Sequence, residues 1–247
     1  MKIIFLGTSG WYDTKIGDTP SVLIETKKFI LILDAGNGIY KLDKYLDWKK
    51  PTFLFLSHLH FDHIFGLHIL RRFKFEKPLT IFTQRGTKKI LKFLINRPFT
   101  VPIKDLPYKI KIREIGQGKY YFPVPFESRY LLHAVPTLGF CFRIEKKKIV
   151  YCTDTGDCKN LRKLARKADL LILECGLKPK QETPHWPHLN PETAAKIAKE
   201  EKAKKMILTH FGAPIYLKKS ERKEAEKVAR KIFKNTLAAF DGLEIII

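Results

Sequence analysis

Long apolar runs are missing from this chain. The longest, such as residues 29–33 (FILIL), are strand-length, against the roughly 20 residues a membrane helix needs. No membrane association is therefore expected. Cysteine is scarce as well. Cys141, Cys152, Cys158 and Cys175 are the only four, and none form a C-x-x-C pair. That count argues against a secreted disulfide scaffold and against a zinc knuckle, and buried free thiols are the expectation. Met1-Lys2 leads straight into an apolar strand, without a small-residue cleavage site, so a cytoplasmic protein is expected.

Acidic residues are also few, 25 against 47 Lys and Arg, for a net charge of +22. One reading is a polyanionic partner such as RNA or DNA. The other is the lysine-rich surface of a thermophile, which the 29% charged residues, two Met and three Gln also fit. What is plentiful is core material. Hydrophobic residues make up 45% of the 247 and aromatics 12%, which excludes disorder as the dominant state. No linker, low-complexity tract or strong repeat interrupts the chain, so residues 1–247 are read as one domain.

Apolar strand patterns are read at residues 2–6, 21–25, 29–33, 52–57, 79–83, 128–133, 139–145, 149–153, 169–173, 206–209, 237–240 and 243–247. Helices are read at 39–48, 64–73, 87–95, 160–167, 191–201 and 218–234, with Asn190 as cap and Pro191 in the first turn of the fifth. Residues 97–125, rich in proline, give no clear pattern. Runs of strands between helices predict an α/β sandwich, two β-sheets flanked by helices, rather than a barrel.

The chemistry concentrates after the fourth apolar run, in Ser57-His58-Leu59-His60-Phe61-Asp62-His63-Ile64-Phe65-Gly66-Leu67. Four candidate metal ligands fall within six residues. Imidazole suits Zn, Fe, Ni and Cu, and a carboxylate can bridge to a second ion. His58 and His60 can point the same way from an extended stretch. Asp62 and His63, being adjacent, cannot, so the spacing suits two metals better than one.

This His-x-His-x-Asp-His run resembles the signature of the metallo-β-lactamase superfamily. Other segments resemble its remaining motifs in order: Asp34-Ala35-Gly36, His133 at a strand end, Thr153-Asp154-Thr155-Gly156, Leu208-Thr209-His210-Phe211 and Phe240-Asp241-Gly242-Leu243. The resemblance covers nearly the whole chain and implies the αββα sandwich of that family. It implies one ion held by His58, His60 and His133, a second held by Asp62, His63 and His210, and Asp154 bridging the two. Zinc is the expected metal, with Mn or Fe as alternatives, and a water shared by the ions is the expected nucleophile. Asp34 and Glu174 would support the site from behind. Asp62 would count among the catalytic groups as well as the ligands. Histidine at position 60 favours hydrolysis, because di-iron oxygen-reducing members usually carry glutamate there. His68 is read as structural, and His185 is ambiguous.

Finer resemblance is to ribonuclease Z and related phosphodiesterases. The stretch from His133 to Phe140 looks like theirs. So does Leu171-Ile172-Leu173-Glu174-Cys175-Gly176, where Glu174 matches their His-Glu-Ala-Thr segment and Leu173 does not. His188-Leu189-Asn190-Pro191-Glu192 resembles the motif whose histidine protonates the leaving oxygen. His188 is thus the expected general acid, with His185 in reserve. One departure stands out. Only twenty residues separate His133 from Asp154, where ribonuclease Z carries a long arm that clamps tRNA. This points toward a smaller or differently held phosphodiester, RNA, DNA or a small cyclic phosphate. Against it, Lys159, Arg162 and Lys163 form a basic helix stripe just beyond Asp154 and are candidate phosphate-backbone contacts. The aromatic stretches at 73–75 and 119–122 could stack on bases or simply pack.

The expected function is a binuclear metal-dependent phosphodiesterase. The rivals are a thioester, lactone or β-lactam hydrolase on the same ions, and a nucleic-acid-binding protein with a structural metal site. A homodimer is compatible with the resemblance, but no interface is readable.

Overall fold

The computed structural model describes residues 1–183 and 186–247. Its strands, in chain order, are β1 (Lys2–Gly7), β2 (Ser9–Gly10), β3 (Ser21–Glu25), β4 (Ile30–Leu33), β5 (Thr52–Phe55), β6 (Leu79–Gln84), β7 (Ile110–Ile115), β8 (Gly118–Tyr120), β9 (Phe126–Tyr130), β10 (Leu138–Ile144), β11 (Lys147–Cys152), β12 (Leu170–Glu174), β13 (Met206–Thr209), β14 (Phe211–Gly212), β15 (Thr236–Ala238) and β16 (Glu244–Ile246). The α-helices are α1 (Phe61–Ile64), α2 (Lys88–Leu94), α3 (Lys159–Ala165), α4 (Pro191–Glu200) and α5 (Lys219–Ile232).

Two seven-stranded sheets form, in the orders β16-β1-β3-β4-β5-β6-β7 and β15-β13-β12-β11-β10-β9-β8. They pack face to face with helical layers outside, the expected αββα sandwich. Period-two alternation explains the layering. Ile3 and Phe5 of β1, Phe53 and Phe55 of β5, and Leu170 and Ile172 of β12 point into the core shared by the sheets. Ile4, Leu6 and Leu54 point outward under the first sheet's helical cover. Leu171 and Leu173 point under α3, α4 and α5. Strands buried on both faces are mostly apolar on both, which is why these runs read as nearly continuous.

Two expected helices are tighter than α. Residues Asn37–Lys44 and Phe65–Arg72 are 3-10 segments. In the second, the Gly66 amide donates to Ala35 at 2.8 Å instead of to its own helix. A Cβ at Gly66 would lie 2.5 Å from the Gly36 carbonyl oxygen, so only glycine lets these loops touch. The unread stretch 97–125 holds β7, which closes one edge of the first sheet, and β8. Strand β9 ends at Tyr130, earlier than expected, so His133 lies in a loop and not at a strand end. Leu132 instead makes an isolated bridge to Gly156, which pulls His133 toward the Asp154 loop. The short pair β2–β14, also unforeseen, joins Ser9 to Phe211 and Gly10 to Gly212.

Candidate binuclear metal site

Strands β4 and β5 run parallel, as do β11, β12 and β13. Their carboxyl ends therefore emerge at one edge of the sandwich, where α/β sheets place ligands. Asp34 follows β4, His58 follows β5, Asp154 follows β11, Glu174 ends β12 and His210 follows β13. Asp34, Asp154 and His210 have φ of 58°, 48° and 53°. Such left-handed turns are uncommon for residues with a Cβ, and here they reverse the chain sharply at the strand ends.

The side chains converge in two sets. One ligand atom each from His58, His60, His133 and Asp154 lies within 4.8 Å of the others, and so do atoms of Asp62, His63 and His210. Asp154 reaches both, with Oδ1 3.9 Å from His133 Nε2 and Oδ2 3.0 Å from His63 Nε2 and 3.1 Å from His210 Nε2. A third grouping joins Asp154, His188 and His210. Six of the eight histidines in the chain thus meet around one carboxylate.

Buried groups hold these rings from behind. Asp34 accepts bonds from the Ser57 amide (2.7 Å), the Ser57 hydroxyl (2.9 Å) and the Tyr151 hydroxyl (2.7 Å), and faces His63 Nδ1 at 2.8 Å. His58 Nδ1 lies 3.0 Å from the Ser57 hydroxyl. Both arrangements leave Nε2 toward the cluster, the outer-shell pattern that fixes ring orientation at metal sites. Glu174, fully buried, accepts from the amides of Thr155, Gly176 and Leu189 and lies 2.8 Å from His188 Nδ1. It thereby ties the Asp154 loop to His188.

The donor chemistry fits divalent ions. His58 Nε2 is buried without a hydrogen-bond partner, an orphan that a metal would satisfy. Burial pushes the His58, His60 and His133 rings toward neutrality, His133 to about 4, and a neutral imidazole has the lone pair a metal needs. The other set behaves oppositely. Burial opposes charge on His63, yet Asp62, Asp154 and Asp34 surround it and hold its pKa well above the usual value. Burial likewise works against Asp62 and Asp154, but neighbouring imidazoles keep both well below the usual carboxylate range. An excess of carboxylate around this set calls for cations.

Other expected contributors are placed differently. His68 is exposed, with Nδ1 2.6 Å from the Phe65 carbonyl, and belongs to none of the clusters among the described residues. His185 lies outside those residues. Arg162 is tied to Asp157, Glu200 and Glu201, whereas Lys159 and Lys163 are exposed. Phe73 and Phe75 are core residues, not a stacking surface. Cys158 is only half-buried, while the other three thiols are buried as expected. Sequence reasoning missed Ser57 and Tyr151 as supports of Asp34. Ser57 had one signal, its place inside the histidine run; Tyr151 had none.

A two-sheet sandwich with this cluster at its strand ends defines a class, the metal-dependent hydrolases of the metallo-β-lactamase fold. The model described as Beta-lactamase superfamily domain matches residues 30–211, and the chain belongs to that superfamily. It is 27% identical to a ribonuclease Z of Bacillus licheniformis over 315 aligned positions, covering 99% of this chain and 98% of that one. In structure it is similar to the metallo-beta-lactamase fold protein YhfI of Bacillus subtilis (TM-score 0.81, 23% identity, 99% of each chain). It is also similar to the short form of human tRNase Z (TM-score 0.79, 23% identity, 100% of this chain and 99% of that one).

Proposed function

We propose that the protein is a phosphodiesterase acting on RNA or a nucleotide, with two zinc ions held by His58, His60, His133 and Asp154 on one side and Asp62, His63, His210 and Asp154 on the other. Curated relatives named ribonuclease Z support this reading. When bound, the ions would supply positive charge for the non-bridging phosphate oxygens and acidify water toward neutral pH. Histidine-rich nitrogen donors with carboxylates suit zinc.

The observation that carries the reading is His188. Its Nδ1 lies 2.8 Å from buried Glu174, so Nε2 is the ring nitrogen left to hold a proton. Its ring sits 5.9 Å from that of His210 and 5.5 Å from that of His133, between the two sets. Cleavage of a phosphodiester expels a basic alkoxide, which needs a proton as it leaves. A thioester expels a thiolate that does not. A positioned imidazole therefore favours the phosphodiester over the thioester. Lys159 and Lys163 are proposed to hold neighbouring phosphates. Between His133 and Asp154 the chain makes only β10, β11 and a turn at Glu145 and Lys146. No arm grips a large folded RNA there, so a short single strand or a small nucleotide diester is the proposed substrate.

His188→Ala tests this. Its rate on a ribonucleotide phosphodiester should fall about 10²- to 10⁴-fold. On bis(p-nitrophenyl) phosphate, whose phenolate leaves unaided, the loss should stay under about tenfold, with ion content unchanged. Equal losses on both substrates, or loss of ions, would overturn the assignment.

A further inference from the structure

Two of the three tryptophans stand in solvent beside the metal cluster. Trp11 is 72% exposed and Trp186 52%. The third, Trp48, packs on Phe73 and Phe75 at 5.8 and 5.1 Å. The exposed pair is attached to opposite donor sets. The Trp11 amide donates to Asp62 Oδ2 at 2.8 Å. The Trp186 ring lies 6.0 Å from that of His133. The backbone of Trp11 and the ring of Trp186 thus border the cluster at different donor sets.

Trp11 also sits in an unusual backbone. Its φ is +78°, a region that bulky side chains avoid and that persists only where the surroundings enforce it. The enforcement is visible, because β2 ends at Gly10 against β14 and the next amide is bound by Asp62. The strained turn aims the indole outward. Tyr12, whose ring lies 5.6 Å away, widens the aromatic surface on this side.

Water-exposed aromatic rings at the mouth of a site are a cost unless something covers them. The chain carries a net charge of +22, which selects an anionic occupant over an apolar peptide. A ring-bearing anion that straddles a phosphodiester site is a nucleotide chain. Resting on the phosphodiesterase reading, we infer that Trp11 and Trp186 are stacking platforms for unpaired nucleobases on either side of the scissile phosphate. The substrate must then be single-stranded at the cleavage point, because a paired base is already stacked. Each such contact tolerates any base.

The test uses zinc-loaded protein and two readouts. The first is kcat/KM for adenylyl-(3′,5′)-adenosine, which has a base on each side, and for its abasic analogue, the ribose–ribose 3′,5′-diester, which has no ring to stack. Trp11→Ala and Trp186→Ala should each lower the first about tenfold, within the range for one lost stack. Each should leave the second within about twofold, and Trp→Phe at either position should restore most of the loss. The second readout is tryptophan fluorescence. Adenosine 5′-monophosphate should quench it and ribose 5-phosphate, with the same phosphate and no base, should not. Both side chains are exposed, so the variants keep the core intact. Unchanged dinucleotide kinetics in both variants, or equal quenching by the two phosphates, would overturn the stacking role. If neither diester is cleaved by the wild type but the monophosphate alone quenches, the stacking sites stand and the phosphodiesterase reading falls.

Discussion

Glu174→Gln is the most informative single change at the site. The carboxylate is fully buried, and its two oxygens serve four N–H groups. Oε1 faces the Thr155 amide at 2.6 Å and His188 Nδ1 at 2.8 Å. Oε2 faces the amides of Gly176 at 2.9 Å and Leu189 at 3.2 Å. Glutamine is nearly isosteric but has one acceptor oxygen. Whichever way the amide turns, its NH₂ meets two N–H donors that have no water to turn to. Each buried donor left without an acceptor costs about 1–3 kcal/mol. The longer Leu189 bond puts the total nearer 3 than 6, so about 3–4 kcal/mol is expected. For a chain of this length that is a drop in Tm of roughly 6–16 °C. Turnover should fall as well. Burial opposes a proton on His188, and Glu174, with smaller help from Asp154 and Asp62, raises its pKa to about 9. Without that carboxylate the His188 pKa should fall, and the ribonucleotide rate should drop in the same direction as in His188→Ala. Calorimetry on the zinc-loaded variant, paired with rates on the two diesters, checks both. A Tm within about 2 °C of wild type, with turnover intact, would refute the claim that Glu174 anchors this corner of the site.

Three further outcomes follow from the same geometry. Purified protein should carry close to two divalent ions per chain, and Asp154→Ala should lose affinity for both along with most activity, as metal analysis would read directly; retention of both ions would refute the bridging role. Gly10→Ala would place a methyl 2.4 Å from His210 Cε1 and 2.6 Å from Nδ1, so the ring must shift; chelator competition should show one ion weakened about 10- to 100-fold and the other little changed. Tyr151→Phe removes the hydroxyl that donates to Asp34 inside the core, and thermal melts should show a loss of about 2 kcal/mol, or about 6 °C.

Much of the candidate site was readable from local sequence because its candidate ligands cluster there. His58, His60, Asp62 and His63 fall within six consecutive positions, and chance rarely produces that run. The layers were readable too, since strands covered on both faces are largely apolar, as in β4 and the Leu170–Leu173 part of β12. The segment after the histidine run misled for a physical reason. Its helical pattern is real, but the Gly66 amide is claimed by Ala35, a contact that no pattern within residues 64–73 contains.

Periodicity and residue type, then, determined the sandwich, the histidine run and the excess of positive charge. Only the tertiary structure decided which charges are spoken for. Arg162, an apparent phosphate contact, is neutralised by Glu200 and Glu201 from α4 and the residue after it. Arg222 is buried on α5 against the hydroxyls of Thr8 and Ser9, more than 200 residues away. Only the structure set Tyr151 behind Asp34 and Glu174 behind His188. These are relations between strand ends brought together by parallel pairing and sheet-on-sheet packing. Such pairings depend on register and on which faces meet, and neither is written in any single stretch of the chain.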